Sequence, residues 1–436
     1  MNDTIVRVKG REVLDSRGRP TVEAEVWCAG GAVGRAIVPA GASTGRTEAR
    51  ELRDGDPRRY GGLGVRRAVA HVDTVIGPAV RGLAASDQAV LDQRLVELDG
   101  TPTRERLGAN ALLAVSLAAA HAAAAARGRP LFAHIADLMG ETEGRTLPLP
   151  MINVLSGGLH AAGAVDFQDY LVVPVGAPDY AAAIEMTAAV IAAVRAELER
   201  RGAPLGLADE GGYGPPLPDN EAGCALLVEA IARAGYEPGR DVSLALDVAA
   251  SHFFRDGRYH LRREGRVLSS AEMVAYLVDL CRRWPIVSLE DGLAEEDWDG
   301  WTALTTALAP HLQVLGDDLF TTHADRLARG ADQGAANAVL IKMNQVGTLS
   351  ETLATMRLAR ARGYRCVVSA RSGETEDTTL ADLAVGTDAG QIKIGSLQRS
   401  SRLAKYNQLF RIADALGERA RWAGAGVLAK GRGRPN

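Results

Sequence analysis

The sequence has little cysteine, few aromatic residues and no strong excess of charge of either sign. Its four cysteines form no Cys-x-x-Cys pair, which favours buried thiols in a reducing compartment over a disulfide framework or a zinc site. The formal net charge of −4 supplies no basic field, so a nucleic-acid partner is not expected. Residues 1–18 contain no apolar segment of the signal-peptide type, and we therefore expect a cytoplasmic protein.

Long, strongly hydrophobic runs are also scarce. The least polar stretch is 109–126, which contains Asn110, Ser116 and His121 and is rich in alanine. Alanine is a strong helix former of low hydrophobicity, so this stretch predicts a packed helix of the core. We expect no membrane partner.

Lysine is rare, with five lysines among 50 basic residues. Arginine keeps its proton under all ordinary conditions, whereas lysine can lose it and act as a base. The position of each lysine is therefore informative about chemistry.

The chain of 436 residues is long enough for two or three domains. Residues 1–140 show strand patterns followed by helical patterns, which predicts a small α+β domain. A short polar stretch, 141–146, is the candidate linker. Residues 147–436 alternate short apolar runs with amphipathic helices, which predicts parallel βα units and an irregular (β/α)8 barrel. The runs are 151–155, 170–174, 243–248, 286–289, 313–315, 338–341, 366–369 and 391–394.

Charged residues lie at or near the ends of several of these runs. Asp247, Glu290 and Asp317 end three consecutive strands, and Lys342 and Lys393 end two later ones. Catalytic groups of such barrels lie at the carboxyl ends of the strands. Carboxylates that converge there would repel one another without a cation, and hard oxygen ligands favour Mg²⁺. A lysine beside Mg²⁺ and a second cation would have a lowered pKa and could serve as a general base.

Other catalytic motifs are absent from the sequence. It contains no Gly-Lys dipeptide, hence no P-loop, and no His-Glu-x-x-His motif. His160 is the one histidine in a glycine-rich loop, where it has either a structural or a functional role.

Over nearly its whole length the chain resembles the enolase family. The resemblance rests on nine stretches that occur in the family's order: Asp15-Ser-Arg-Gly18, Gly41-Ala-Ser-Thr-Gly45, Glu51-Leu-Arg-Asp-Gly-Asp56, Asp209-Glu-Gly-Gly-Tyr213, Ala245-Leu-Asp-Val-Ala-Ala-Ser251, Ser288-Leu-Glu-Asp-Gly292, Gly316-Asp-Asp-Leu-Phe320, Ser372-Gly-Glu-Thr-Glu-Asp377 and Ala404-Lys-Tyr-Asn-Gln408.

The resemblance implies an α+β domain before an irregular (β/α)8 barrel. It implies that the protein removes water from 2-phosphoglycerate to give phosphoenolpyruvate, as a homodimer or a larger homo-oligomer. Two Mg²⁺ ions are implied as cofactors. Asp247, Glu290 and Asp317 match the ligands of the first ion, and Ser43 matches the loop serine that helps to bind the second.

The resemblance also implies the catalytic groups. Lys342 matches the base that removes the α-proton, and Glu210 matches the acid that protonates the leaving hydroxyl. His160 matches the loop histidine that closes over the site. The positions that match substrate contacts are Lys393 for the carboxylate, and Arg371 and Ser372 for the phosphate.

Four positions depart from the family's pattern. Ala370 replaces the histidine beside the substrate phosphate, and Asp169 replaces a glutamate, so this active-site carboxylate is one methylene shorter. The loop Gly157-Gly-Leu-His-Ala-Ala-Gly163 has lost polar groups, and Ile394 stands where threonine is usual.

These departures leave three hypotheses open. The first is a lyase that still dehydrates 2-phosphoglycerate. The second is dehydration of a carboxyphosphono analogue to carboxyphosphonoenolpyruvate, in phosphonate or phosphinate biosynthesis, where the extra carboxylate would fill the volume vacated at Ala370. The third is a non-catalytic binding protein that keeps the fold. Under the first two, the partner is a phosphorylated or phosphonylated glycerate.

Overall fold

The computed structural model describes residues 2–41, 45–140, 142–161 and 163–428. It begins with a three-stranded antiparallel sheet in which β2 is central. Most residues of β2 and alternate residues at the start of β3 (Val33–Ile37) are buried, and both strands pack against the helices that follow in the chain. The three strands are β1 (Ile5–Leu14), β2 (Pro20–Cys28) and β3 (Val33–Ile37).

Helix α4 (Ala109–Ala126) packs across β2 and β3, as the core helix that the sequence predicts. By length and composition it is the one described helix that could span a membrane, but 89% of it is buried inside the protein. At Gly34 of β3 an added Cβ would lie 2.1 Å from the carbonyl oxygen of Ala118, so this close approach requires glycine. The helices of this part are α1 (Arg66–His71), α2 (Gly77–Val80), α3 (Gln88–Asp99), α4 (Ala109–Ala126) and α5 (Leu131–Met139).

The polar stretch that we interpreted as a linker is held against the barrel. The Asp388 carboxylate accepts hydrogen bonds of 2.8–3.1 Å from the four backbone N–H groups of residues 143–146. Thr142 donates its hydroxyl to the carbonyl of Gly386 at 2.7 Å. The short strand β4 (Thr146–Leu147) begins at the end of this stretch.

Eight strands then close a barrel, and each lies where the sequence predicts an apolar run. The barrel strands and the short strands between and after them are, in chain order, β5 (Leu149–Ser156), β6 (Asp169–Val173), β7 (Ser243–Asp247), β8 (Phe254–Arg255), β9 (Arg258–Leu261), β10 (Arg266–Leu268), β11 (Ile286–Glu290), β12 (Gln313–Gly316), β13 (Ala338–Ile341), β14 (Arg365–Ser369), β15 (Gly390–Lys393) and β16 (Arg421–Trp422). β8–β10 form a separate sheet, and β16 pairs with β4.

The prediction that all barrel strands are parallel is wrong for β6. This strand pairs antiparallel with both β5 and β7. No crossover helix separates β5 from β6, so the chain turns back through a loop and forms a hairpin. As a result β6 begins, rather than ends, at the edge where its neighbours end, and Asp169 pairs with Ser156 and Asp247 there.

Helices surround the barrel, and an apolar layer fills its interior away from the carboxyl ends of the parallel strands. Leu149, Leu171, Ala338 and Val367 belong to this layer, with Leu428 from the C-terminal segment. Several helices begin with a capping side chain, such as Ser269, which forms a reciprocal capping box with Glu272. The helices are α6 (Tyr180–Arg200), α7 (Glu221–Arg233), α8 (Ser270–Arg283), α9 (Trp298–Leu308), α10 (Ala324–Gln333), α11 (Leu349–Ala361), α12 (Thr379–Gly386) and α13 (Ser400–Leu416).

The buried His134 on α5 makes the free energy of unfolding depend on pH. Its side chain is fully buried, and neither ring nitrogen has a hydrogen-bond partner within the described part of the chain. Burial, then the positive charge of Arg127, lowers the pKa of His134 to about 4. The unfolded chain therefore binds a proton between about pH 6.5 and 4 that the folded chain does not, so stability falls as the pH falls through this window.

We expect His134→Leu to remove this part of the pH dependence. Between pH 7 and 4.5 the free energy of unfolding should fall by about 2 kcal/mol less in the variant than in the parent, as measured by denaturant unfolding. The same substitution at the exposed His311 is the control. Equal pH dependence in both variants and the parent would contradict the interpretation.

Candidate active site

Three carboxylates meet where the sequence predicts them, at the carboxyl ends of adjacent barrel strands. Asp247 ends β7, Glu290 ends β11, and Asp317 directly follows β12, with all three side chains buried. The register of the strands sets Glu290 beside Asp247. Burial, and then the negative charge of Asp247, raises the pKa of Glu290 well above its ordinary range despite the nearby Lys393.

The two strand-end lysines reach into these carboxylates. Lys393 Nζ donates to Asp247 Oδ2 at 2.9 Å and to both carboxylate oxygens of Glu290 at 2.8 Å. Lys342 donates to Asp317. The predicted lowering of the pKa of Lys342 refers to a lysine beside Mg²⁺, whereas the protein's own side chains act in the opposite direction. Burial lowers the pKa of Lys342, but the carboxylates of Asp317 and Glu290 together raise it, so the net shift is upward.

The donor set fits a divalent cation that prefers oxygen. Asp247, Glu290 and Asp317 offer carboxylate oxygens, and the cationic groups that contact them are the two lysines. Gln168 donates to Asp247 at 3.1 Å, while its own Oε1 is buried without a partner in the described residues. A buried amide oxygen of this kind can accept from water bound to a cation.

A second group of side chains surrounds His160. Its Nδ1 lies 3.0 Å from Asp169 Oδ2, and its Nε2 lies 3.2 Å from Ser372 Oγ. Burial lowers the pKa of His160, but Asp169, with Glu210 and Asp247, raises it by more, to about 9. The ring is therefore an imidazolium at neutral pH. Asp169, although shorter than the family's glutamate, contacts the histidine directly.

Further hydrogen bonds fix Asp169, and Glu210 lies close by. Asn153 and Ser156 of β5 donate to Asp169 Oδ1 at 2.6 and 2.8 Å. Burial raises the pKa of Glu210, but Arg402, His160 and the two site lysines together lower it below its ordinary value. Glu210 is therefore a carboxylate in this arrangement.

Three further predicted residues, Ala370, Arg371 and Ser372, directly follow β14. Arg371 donates to Glu48 Oε2 at 2.9 Å and to Asn344 Oδ1 at 3.0 Å. Ala370 is buried, and its N–H donates to the carbonyl of Lys393 at 2.9 Å. Ser43 lies outside the described residues.

Sequence reasoning missed Glu48 and Gln345, which connect the N-terminal domain to the barrel. Glu48 accepts from Arg371, from the N–H of Gly45 at 3.0 Å and from Gln345 Nε2 at 3.2 Å. Gln345 also donates to Asp317 at 3.0 Å. The one sequence feature that could have indicated a role for Glu48 is its position, three residues after the glycine-rich loop ends at Gly45. A cavity of about 560 Å³ opens here, lined in part by Gly41, Gly45, Glu48 and Asn344.

Arg402 was also missed. Fully buried on α13, it donates to the carbonyl of Ile394 at 2.8 Å and to that of Ser372 at 2.9 Å. It therefore ties together the loops that follow β14 and β15. Among the charged groups that lower the pKa of Glu210, Arg402 has the largest effect.

Strained backbone occurs just beyond the carboxylate strands. Ala249, Asp291 and Thr321 have φ values of 47°, 44° and 45°, in the left-handed region that non-glycine residues rarely adopt. The side-chain carboxylate of Asp291 accepts hydrogen bonds from the backbone N–H groups of Asp317 and Asp318 at 2.9 and 2.8 Å. Such strain is typical of functional sites, where the surrounding packing holds it.

Comparison with protein families agrees with this architecture. Residues 5–135 match the family model described as enolase, N-terminal domain. Residues 144–430 match the model described as enolase, C-terminal TIM barrel domain. Together the two matches cover both the α+β part and the barrel.

Proposed function

Because the chain belongs to the enolase family, we propose that it is a Mg²⁺-dependent hydro-lyase acting on 2-phosphoglycerate or a close analogue. The product would be an enolpyruvate. One observation carries the proposal: Lys342 and Lys393 reach the buried carboxylates Asp247, Glu290 and Asp317 at one end of the barrel. A candidate base (Lys342), a cationic side chain that can bind an anion (Lys393) and carboxylate oxygens that can bind a metal therefore lie together.

Asp247, Glu290 and Asp317 would hold the first Mg²⁺, with Ser43 contributing to the second. The proton α to a carboxylate is a weak acid, because its loss adds charge to a group that is already anionic. When bound, the two cations would stabilise this added charge. The Lys-plus-Mg²⁺ arrangement is the recognised pattern of the enolase superfamily.

The protein's own groups would move the protons. Lys342 would take the α-proton, which requires its amine to be neutral and hence the Asp317 charge to be satisfied by something other than the ammonium. Glu210 would protonate the leaving hydroxyl. Glu210 is a carboxylate here, and the negative charge of a bound substrate would raise its pKa and favour proton uptake. Lys393 would bind the substrate carboxylate.

Cationic and hydroxyl groups near Ala370 would bind the phosphorus end of the substrate. Arg371 presents a buried guanidinium, which suits bidentate contact with a phosphoryl group. Ser372 lies beside the His160 imidazolium, so its hydroxyl can accept from the ring and donate to a phosphoryl oxygen.

Mg²⁺-dependent turnover of 2-phosphoglycerate tests the proposal. Formation of the enol product is followed by its ultraviolet absorbance, with Lys342→Ala as the blank. Turnover that requires both Mg²⁺ and Lys342 would support the proposal. A folded protein that binds Mg²⁺ but dehydrates neither 2-phosphoglycerate nor its carboxyphosphono analogue would contradict it and favour a non-catalytic role.

A second candidate substrate is favoured by Ala370. A methyl side chain at the end of β14, between Ser369 and Arg371, leaves more room near the phosphorus end than a histidine would. A carboxyphosphono analogue of 2-phosphoglycerate has the same glycerate core and one further carboxylate on phosphorus. Preference for this analogue in the turnover assay would support a place in phosphonate or phosphinate biosynthesis.

Glu48 is expected to position Arg371. Glu48→Gln keeps the shape of the side chain but removes the charge that faces the guanidinium at 2.9 Å. We expect KM for 2-phosphoglycerate to rise about tenfold, because a charge-assisted hydrogen bond is worth roughly 1.5–3 kcal/mol and Asn344 still holds part of Arg371. Steady-state kinetics and the inhibition constant of inorganic phosphate measure the effect.

The matched control for Glu48→Gln is Glu105→Gln. Glu105 pairs with Arg50 at 3.1 Å on the surface of the same domain. Such an exposed pair contributes little, so KM should not change. If Glu48→Gln lowered stability but left KM and phosphate inhibition unaltered, Glu48 would be purely structural.

We also propose a cytoplasmic location and a homo-oligomeric state. Both proposals rest on the family and on the composition. Sedimentation of the purified chain across a range of concentrations tests the second. A monomer at all concentrations would contradict it.

A further inference from the structure

Lys405 is a buried lysine that the proposed reaction does not use. It is one of the five lysines of the chain and lies on α13, in the stretch Ala404-Lys-Tyr-Asn-Gln408 that carries part of the family resemblance. Its side chain is only 1% exposed. Because a buried ammonium without a partner is very costly, the contacts of Lys405 indicate what it does.

The ionic partner of Lys405 is Glu374, in the loop that follows β14. Lys405 Nζ donates to Glu374 Oε2 at 2.7 Å and to the carbonyl of Thr375 at 2.5 Å. The Glu374 carboxylate also accepts from the backbone N–H groups of Arg371 at 3.1 Å and of Thr375 at 3.2 Å. The loop is therefore folded around one buried carboxylate, and Lys405 fixes that carboxylate to α13.

Two other parts of the chain hold the same loop. Arg402, one turn earlier on α13, donates to the carbonyl of Ser372 at 2.9 Å. From the N-terminal domain, Ala40 exchanges two backbone hydrogen bonds with Gly373, of 2.8 and 2.9 Å. Residues 371–375 are therefore held by backbone contacts with the N-terminal domain and by two cationic side chains of α13.

In the described part of the chain, the cavity that Lys405 lines is too small for a ligand. Its volume is about 20 Å³, which is enough for one water molecule. A buried ion pair adds little net stability, because the desolvation of its two charges offsets their attraction, but it can specify one arrangement of the chain. The contacts of Lys405 thus favour a role in setting the position of the loop.

We propose that Lys405 is a positioning residue for the phosphorus end of the substrate. Through Glu374 it sets the backbone of residues 371–375. This backbone directs the Arg371 guanidinium and the Ser372 hydroxyl, the two groups proposed to bind a phosphoryl group. The effect on turnover rests on the proposed function, whereas the effect on phosphate binding can be measured without it.

Binding of inorganic phosphate to the full chain tests this role. Lys405→Met alone leaves the Glu374 charge buried without its partner, so the more informative protein is the double variant Lys405→Met/Glu374→Gln, which removes both charges and nearly keeps both volumes. Calorimetry should give a phosphate dissociation constant about tenfold higher in the double variant, because small displacements of binding groups are costly.

Two controls separate a displaced loop from a general disturbance. The affinity for Mg²⁺, measured without phosphate, should be the same in the parent and the double variant, because the proposed ligands lie at the ends of β7, β11 and β12. Lys9→Met is the matched substitution at an exposed lysine, which pairs with Asp73. It should change the affinity for neither phosphate nor Mg²⁺.

Hydrogen exchange and kinetics give readouts that a purely structural role would not change in this way. Amide exchange in the double variant should become faster in residues 370–376 and stay slow in the barrel strands. KM for 2-phosphoglycerate should rise about tenfold while kcat stays within about twofold, since the proposed base and acid lie on other elements.

Three results would overturn the positioning role. An unchanged phosphate affinity in a double variant of lowered thermal stability would make the ion pair purely structural. An equal loss of phosphate and Mg²⁺ affinity would indicate a general disturbance. A parent protein that binds no phosphate would leave Lys405 no phosphoryl contact to position. If phosphate affinity depended on Lys405 in a protein that dehydrates neither substrate, the positioning role would be supported and the proposed function contradicted.

Discussion

Lys342→Ala is expected to lower kcat for dehydration by about 10⁴-fold. Lys342 is the strand-end lysine paired with Asp317, and its removal deprives the reaction of the group that accepts the α-proton. General-base catalysis accounts for about 10²–10⁴-fold, and the lost cationic charge beside a developing dianion adds to the effect. Steady-state turnover and exchange of the α-proton with deuterium oxide should fall together.

Lys342→Arg separates the role of the base from that of the charge. Arginine keeps a positive charge near Asp317 but does not release its proton, so we expect a loss close to that of the alanine variant. The exposed Lys9→Ala should retain full activity. If Lys342→Arg kept a tenth or more of the parent's kcat, Lys342 would be acting as a charge and the base would lie elsewhere.

The positions of Asp247, Glu290 and Lys393 could be predicted because each lies at or near the end of a short apolar run. In parallel βα units the carboxyl ends of the strands meet at one edge, so sequence position alone places these side chains together. The family resemblance then supplied roles that position cannot. All eight runs are strands of the barrel, so this part of the reasoning is confirmed.

The direction of β6 could not be predicted from its composition. A buried strand shows the same apolar run whether it is parallel or antiparallel to its neighbours. The absence of a helix between 155 and 170 was the usable sign, since a parallel pair needs a long crossover. The reversal matters because it brings Gln168 and Asp169 to the catalytic edge from the start of a strand.

Contacts between the two parts of the chain were beyond sequence reasoning. Glu48 and Arg371 are 323 positions apart, and no local pattern connects them. The charges around Lys342 were beyond sequence reasoning for a similar reason. The prediction of a lowered pKa refers to Lys342 beside Mg²⁺ and a second cation, whereas the protein's own carboxylates, with Asp317 foremost, give a net upward shift of its pKa.

Ala370→His is expected to change substrate preference by about 10³-fold towards 2-phosphoglycerate. The imidazole would add a charge-assisted hydrogen bond to the phosphoryl group, worth about 10²-fold in kcat/KM. It would also occupy the volume that an extra carboxylate on phosphorus needs, which costs the carboxyphosphono analogue about tenfold. The backbone bond from residue 370 to the carbonyl of Lys393 does not depend on the side chain, so the strand end should keep its position.

Ala370→Leu distinguishes the two contributions, because leucine fills the same space without a donor. It should weaken turnover of the carboxyphosphono analogue without improving turnover of 2-phosphoglycerate. The ratio of kcat/KM for the two substrates, measured for the parent and both variants, gives the size of each effect. If the histidine variant left that ratio unchanged, the vacated volume at Ala370 would have no bearing on the substrate, and the loss of the histidine would be neutral in a lyase that already accepts 2-phosphoglycerate.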